Sequence, residues 1–358
     1  MLTGVKNMKI IKNVKLYGKL VDIGIENGKI AAIGTLDGEG LDFGGAKIYP
    51  GLIDVHSHGT IGHDTMDCKL DEMADWELAQ GVTTWYPTTM TMSQEDIIAA
   101  TSVNIDLGHG ANIPGFHMEG PFINVKYKGA QNEAFIIPPS MELFNKCKNI
   151  KKVTVAPETE GAMEFIEQCP AVVSLGHTDA DYETCMEAFR RGATSLTHTY
   201  NVMPGIHHRA PGPIGAGSDS DGVYAELICD GKHIHKSAVK MLIKIFGTDR
   251  IIFVSDSMCS TGLPDGEYMF GGQKMIVKDR TARTLGGNLA GSTSSLFDCV
   301  KTAISFGIPE EDAVKMASEN PARNMGLNKG KIEVGYDADF IIVDEDFNLI
   351  KAIARGEL

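Results

Sequence analysis

Histidines and carboxylates recur in this chain where an apolar run gives way to a polar cluster. His56 and His58 close the run from Leu52, Glu119 closes Asn112–Met118, His177 follows Val172–Leu175 and His198 follows Thr194–Thr197. Asp230 and His233 follow Val223–Cys229, and Asp256 follows Ile251–Ser255. Residues two apart on a strand share a face, so His56 and His58 present both imidazoles to one side. One glutamate and two histidines form a three-ligand catalytic metal site that keeps a position open for water, and Glu119, His177 and His198 could supply it. Each of these residues has an ordinary reading by itself, as a strand-end histidine, a loop glutamate or an N-cap aspartate. Their joint placement argues for hydrolysis: a metal lowers the pKa of bound water toward about 7, and a carboxylate such as Asp256 can take its proton and pass it to a leaving amine.

An anion pocket is expected near Asn201, which follows the sixth run, and near Arg209, set among glycine and proline in Ile206–Gly212. Arginine grips a phosphate or planar anion with two parallel hydrogen bonds. The histidines at 63, 109, 117, 207, 208 and 235 are taken as background.

Eight apolar runs must position these groups: Leu52–His56, Thr83–Pro87, Asn112–Met118, Val153–Ala156, Val172–Leu175, Thr194–Thr197, Val223–Cys229 and Ile251–Ser255. Helical patterns between them fall at 70–80, 94–107, 163–168, 181–191 and 236–245, with two more at 294–305 and 310–318. Such alternation predicts an α/β fold, a (β/α)₈ TIM-like barrel whose functional groups sit at the C-terminal ends of the strands. Residues 267–285 read as an inserted hairpin turning at Gly271-Gly272. Short β runs from Lys9 to Ile33 and a β-rich tail from Gly330 to Asp344 predict a small β-sandwich domain formed by both termini, residues 1–48 and 326–358, around a catalytic barrel at 49–325.

The chain has 358 residues, 43% hydrophobic and 22% charged, enough to bury a sizeable core, and its 40 glycines suit many tight strand-to-helix turns. Lys+Arg 33 against Asp+Glu 47 leaves a net charge of −14, which repels a phosphate backbone and anionic lipid and argues against nucleic-acid or membrane partners. Seven cysteines without a Cys-x-x-Cys pair read as reduced, buried thiols, and Met1–Leu20 lacks the apolar run of a signal peptide or membrane span, so a cytoplasmic location is expected.

Pro50–Gly59 resembles the first-strand signature of the amidohydrolase superfamily, metal-dependent hydrolases built on this barrel with an attached β domain. Gly115–Phe122, Lys128–Ala130, Gly176–Thr178, Thr197–Met203, Asp230–His233 and Leu289–Ser292 together resemble the N-acetylglucosamine-6-phosphate deacetylases over nearly the whole chain. The resemblance implies that Glu119, His177 and His198 hold the main metal, with His56 and His58 open to a second. The divalent ion could be zinc, iron, manganese or cobalt, one or two per subunit. It implies Asp256 as general base and then acid. It also implies a sugar-phosphate pocket from Ala130, Gln131, Asn201, the Val202 backbone, Arg209, Asp230, His233, Leu289, Ala290 and Gly291. Members are homodimers in which part of the phosphate grip can come from the neighbour, so Arg209 is expected to serve the partner's site. Some members carry a histidine where this chain has Gln131, and an amide can hydrogen-bond but carries no proton charge.

Three competitors remain at this point. A cyclic-amide hydrolase would bridge two metals with a carboxylated lysine ending the fourth strand, but that strand ends Val155-Ala156-Pro157-Glu158, with Lys151 and Lys152 at its start, the wrong face of the barrel. A non-catalytic scaffold predicts a missing ligand or a missing Asp256. A deacetylase of N-acetylgalactosamine 6-phosphate differs by one hydroxyl's orientation.

Overall fold

In the computed structural model, which describes residues 8–358, eight parallel strands run in sequential order around one sheet: Leu52–Ser57, Val82–Thr89, Phe116–Glu119, Ile150–Val155, Val172–Leu175, Ala193–Leu196, Tyr224–Ile228 and Ile251–Val254. Hydrogen bonds from Asp256 N to His56 O (2.9 Å) and from His58 N to Ser257 O (2.8 Å) join the eighth strand's end to the first and close the barrel. Strand alternation sorts the side chains. On the fourth strand Val153 and Val155 join the core beneath the helices, whereas the buried Lys152 and Thr154 point inward. Part of the interior is apolar, built from Ile53, Val55, Tyr86, Ile228, Ile252 and Val254. The rest is a polar column of His117, Lys152, Thr154, Ser174, Thr197 and Glu226, all 0% exposed. A polar column in a barrel interior must be hydrogen-bonded to persist, and here it underlies the site.

The third strand starts at Phe116 rather than at Asn112, because Pro114 has no N–H to give a ladder and Asn112 makes only an isolated bridge to Thr84. The helix expected at 94–107 stops at Ala100: the Thr101 hydroxyl turns back to Ile97 O (2.8 Å), and Asn104 folds onto Asp106. Helices at Met141–Lys146, Gly212–Asp219 and Glu319–Asn324 were not legible, the second because GPIGAGSD is glycine-rich and gains its helix from packing beside Leu196 and Phe246. The inserted hairpin turns at Gly271-Gly272 as expected but has a third strand, Thr281–Thr284.

Both termini contribute to one seven-stranded sheet in which Phe340–Val343 lies between Leu349–Ile353 and Lys47–Pro50. A bulge between Ile11 and Val14 lets one strand pair with Leu41–Asp42 at its start and with Lys47 at Lys15. Phe340 and Ile342 enter that sheet's own core with Ile23, Ile25 and Ile48, while Ile341 and Val343, on the opposite face, join the barrel core. The thiols are all free, and five are buried, but Cys68 is exposed in the turn after Asp67, against the expectation of uniform burial. Among the described residues no helix is long and apolar enough to cross a membrane.

Candidate metal centre and substrate cavity

The C-terminal ends of the strands deliver four imidazoles to one carboxylate. Glu119 Oε1 stands 3.1 Å from His56 Nε2, 3.3 Å from His177 Nε2 and 3.0 Å from His198 Nε2, and Oε2 stands 3.0 Å from His58 Nε2. His56, His58 and Glu119 form one buried donor group, and Glu119, His177 and His198 a second, the glutamate being common to both. Gly120 follows with φ +71°, and a Cβ there would overlap Thr91 Oγ1, so the turn that presents Glu119 requires glycine. His177, His198 and Asp256 have φ of 49°, 28° and 48°, a left-handed backbone that ordinary side chains rarely adopt. Such strain concentrates at functional sites, and spacing in the sequence carries no sign of it.

The ring tautomers suit metal ligation. His177 Nδ1 donates to Tyr127 O (2.8 Å) and His58 Nδ1 to Thr88 O (3.2 Å), which leaves each Nε2 lone pair facing inward. His198 Nε2 lies 3.1 Å from His177 Nε2 and 3.0 Å from Glu119 Oε1, so it joins the same inward-facing donor group. Electrostatics point the same way. Burial disfavours a charged imidazole, yet Glu119 and Asp256 outweigh it and push His56 up to about 9 and His58 to about 10. Burial likewise raises Glu119, but the His56 and His177 charges hold its carboxyl well below the usual range. The donor set thus calls for added positive charge, and a divalent cation fits it.

Asp256 lines the same cavity, Oδ1 lying 3.5 Å from His56 Nε2 and 3.4 Å from His58 Nε2. Burial raises its carboxyl, but His56 and His58 outweigh that and keep it lowered, so it is ionised at neutral pH. The cavity is about 470 Å³ and is walled by Ala130, Gln131, Asn201, Val202, His233, Leu289, Ala290 and Gly291 as well as by Lys126, Tyr127 and Lys128.

Gln131 is engaged at both ends, Nε2 donating to Glu119 Oε2 (2.7 Å) and Oε1 accepting from Thr91 N (2.8 Å). His233 faces acceptors on both sides, Asp230 Oδ2 at 2.7 Å from Nδ1 and Ala290 O at 2.9 Å from Nε2. Both ring nitrogens must then donate, and the ring is an imidazolium. Burial opposes that charge, but Asp230 raises the imidazole above its ordinary value.

Three expected site residues do not line the cavity, and the first, His56, is fully buried behind Glu119. Asp230 stands behind His233 with 1% of its side chain exposed and accepts from the backbone of Lys232 and His233. Arg209 is exposed, its guanidinium meets its neighbour His208 (2.7 Å), and it lines a separate surface depression with Asp179, Tyr182 and Pro211.

Others were missed. Lys152 is not at the barrel's far face: its fully buried ammonium reaches Glu226 Oε1 (2.6 Å) and Val55 O (3.2 Å) inside the barrel. His117, set aside as background, packs edge-on against His56 at 4.6 Å between centroids and is held by the Thr88 and Thr154 hydroxyls. Glu226 carries a signal that the sequence reading did not use, a lone charge within the apolar strand Tyr224–Ile228. Breaking a buried pair leaves an uncompensated charge, so Lys152→Met is expected to cost about 3–5 kcal/mol in urea unfolding, and adding Glu226→Gln to recover most of it. An additive loss would contradict the pairing.

Residues 48–358 match the family model described as Amidohydrolase family. The chain is 37% identical to an N-acetylglucosamine-6-phosphate deacetylase of Bacillus subtilis, covering 94% of this chain and 92% of the relative. It is 33% identical to an N-acetylgalactosamine-6-phosphate deacetylase of Escherichia coli O157:H7, with 93% of each covered. Among solved structures, a mutant N-acetyl-D-glucosamine-6-phosphate deacetylase from Mycobacterium smegmatis in complex with N-acetyl-D-glucosamine-6-phosphate superposes with a TM-score of 0.90 at 28% identity, over 98% of this chain and 99% of that one.

Proposed function

Because the chain belongs to the amidohydrolase family and, within it, to the N-acetylglucosamine-6-phosphate deacetylases, we propose that it hydrolyses the acetamide of N-acetyl-D-glucosamine 6-phosphate to D-glucosamine 6-phosphate and acetate, a step of amino-sugar metabolism. The observation that carries this reading is the convergence of four imidazoles on Glu119, with Glu119, His58, His177 and His198 lining a cavity that Asp256 also lines. In the reading, Glu119, His177 and His198 hold the principal divalent ion, zinc, iron, manganese or cobalt, and His56 and His58 with Glu119 hold a second. When bound, such an ion supplies a water of lowered pKa and polarises the acetyl carbonyl.

The chain's own groups do the rest. Asp256, ionised before reaction, accepts a proton from the attacking water and delivers it to the sugar nitrogen as the carbon–nitrogen bond breaks. Acetate and the amine leave with all atoms accounted for by one added water. Gln131 keeps Glu119 Oε2 in place by a neutral hydrogen bond. Asn201, the Val202 backbone and the His233 imidazolium receive the sugar phosphate, while Lys126 and Lys128 at the mouth are paired with Asp179 and Glu133, both at 2.6 Å. Ala130, Leu289, Ala290 and Gly291 shape the remaining wall, and Asp230 acts through His233.

Arg209 grips the phosphate in a neighbouring subunit's site, which makes the protein a homodimer; its exposure and its separation from its own cavity support that role. Arg209→Ala is then expected to raise KM for the phosphorylated sugar about tenfold or more, the loss of one charge-assisted hydrogen bond, while leaving the unphosphorylated sugar unaffected. A sugar-phosphate substrate also suits a cytoplasmic enzyme. The catalytic barrel follows the expected 49–325 except at its start, because Tyr49 and Pro50 pair with Ile341 and Phe340 in the terminal sheet; 1–48 and 326–358 serve as the small domain, of which 1–7 lie outside the described residues.

Protonation of His233 gives a pH dependence with a definite sign. Its imidazole is raised, so the cation that attracts phosphate is present below that raised value and is lost as pH climbs through it. KM should therefore rise with pH, and Asp230→Asn should move the rise to lower pH. A KM rise that stays at the same pH in the variant would remove Asp230 from this role.

The reading is tested by comparing kcat/KM for acetate release from N-acetylglucosamine 6-phosphate, N-acetylgalactosamine 6-phosphate and unphosphorylated N-acetylglucosamine. Preference for the first supports it, preference for the second transfers the activity to the galacto substrate, and equal cleavage of the third removes the phosphate pocket.

A further inference from the structure

We propose that the buried pair Lys152–Glu226 is a positioning device for His56, and that it sets the affinity of the His56–His58–Glu119 position for a second metal ion. The inference rests on the metal-centre reading above and assigns a role to two residues that it leaves without one.

Glu226 lies on the seventh strand and Lys152 on the fourth, both fully buried and far from solvent. The two carboxylate oxygens have different neighbours. Oε1 accepts from Lys152 Nζ at 2.6 Å and from Ser174 Oγ at 3.5 Å. Among the described residues Oε2 makes no hydrogen bond, and it faces His56 Nδ1 at 3.5 Å, itself a buried nitrogen that makes none. Two orphaned buried polar atoms that face only each other form a latent contact, because neither has anything else to satisfy it.

The contact is on the correct side of the ring. His56 Nε2 points at Glu119 Oε1 (3.1 Å), so a proton held on Nδ1 toward Glu226 leaves the Nε2 lone pair free for a cation. His117 braces the same ring edge-on, and its own nitrogens are occupied by threonine hydroxyls, so it cannot compete for Glu226. Lys152 is required because a carboxylate in this interior would otherwise stand uncompensated. The other three imidazoles are arranged differently: His177 and His58 lean on backbone carbonyls, and His198 Nδ1 has no partner among the described residues. Only His56 is backed by a carboxylate, so the pair acts on one of the two metal positions and not on both.

The test is a cobalt(II) titration of the metal-free full-length chain, followed by visible absorbance and by metal analysis after gel filtration. It is run on the wild type, on Glu226→Gln and on the double variant Lys152→Met with Glu226→Gln. The double variant removes the buried charge pair together, and its thermal melt verifies that the fold is kept. The wild type should take two equivalents. Both variants should keep the first Kd and lose about 10–100-fold in the second, the usual effect of removing an outer hydrogen-bond partner of a ligand. Unchanged second-site affinity in a folded variant overturns the proposal. Equal weakening of both sites also overturns it, since a merely structural role would do that. A wild type that binds a single ion overturns it as well, yet leaves the deacetylase reading standing. By contrast, that reading fails if the wild type binds no ion and its acetate release is indifferent to chelator.

Discussion

Asp256→Asn is expected to lower kcat by about two to four orders of magnitude, the range for a lost acid–base group, with little change in KM or in metal content. The carboxylate stands 3.4–3.5 Å from the imidazoles of the metal centre rather than inside the tightest donor sets, and neither buried donor group includes it. Asparagine keeps the size, the hydrogen bonds of the Asp256 backbone to His56 and Ser292, and the left-handed turn that asparagine tolerates well. Only the proton acceptor is lost. Turnover near the wild-type value, measured beside metal analysis of the same sample, would move the proton transfer to another group.

Glu119→Gln should remove bound metal and activity together. The carboxylate is shared by both donor groups and touches all four imidazoles, so an amide there withdraws the one negative charge around which they are arranged. The same change should let His56 and His58 fall from about 9 and 10 toward ordinary histidine values in the metal-free protein, because Glu119 is among the groups that raise them. Metal per chain after gel filtration should drop to near zero, and imidazole titration by NMR should shift downward. Full metal content in the variant would contradict the shared-ligand arrangement.

Much of this was legible in the sequence, for a physical reason. Strand ends in a parallel barrel are local events, each an apolar run followed by a polar break, so His56, His58, Glu119, His177, His198 and Asp256 could be placed at one rim without knowing the fold in detail. Tertiary facts were not legible in that way. Lys152 follows Lys151, and only the inward phase of the fourth strand distinguishes the buried lysine from its exposed neighbour. Asp230 carries the same strand-end signature as Asp256, yet its loop turns it behind His233, where it sets a charge instead of touching the cavity. The helix at Gly212–Asp219 is another such case, its sequence reading as a loop until Leu196 and Phe246 are packed beside it.

Glu158 shows how far loop geometry supports the rim. Its carboxylate accepts from Asn124 Nδ2 (2.8 Å), Thr178 Oγ1 (2.5 Å) and Asp179 N (2.6 Å), tying the loop that carries Lys126–Lys128 to the loop that carries His177. In sequence it is simply the polar residue after the fourth strand.

The most direct test of the account is acetate release from N-acetylglucosamine 6-phosphate by the purified chain, measured before chelation, after chelation and gel filtration, and after a divalent ion is returned. The account predicts turnover that disappears with the metal and returns with it. Turnover that persists in fully metal-free protein would contradict the assignment of Glu119, His177 and His198 as the centre of the reaction.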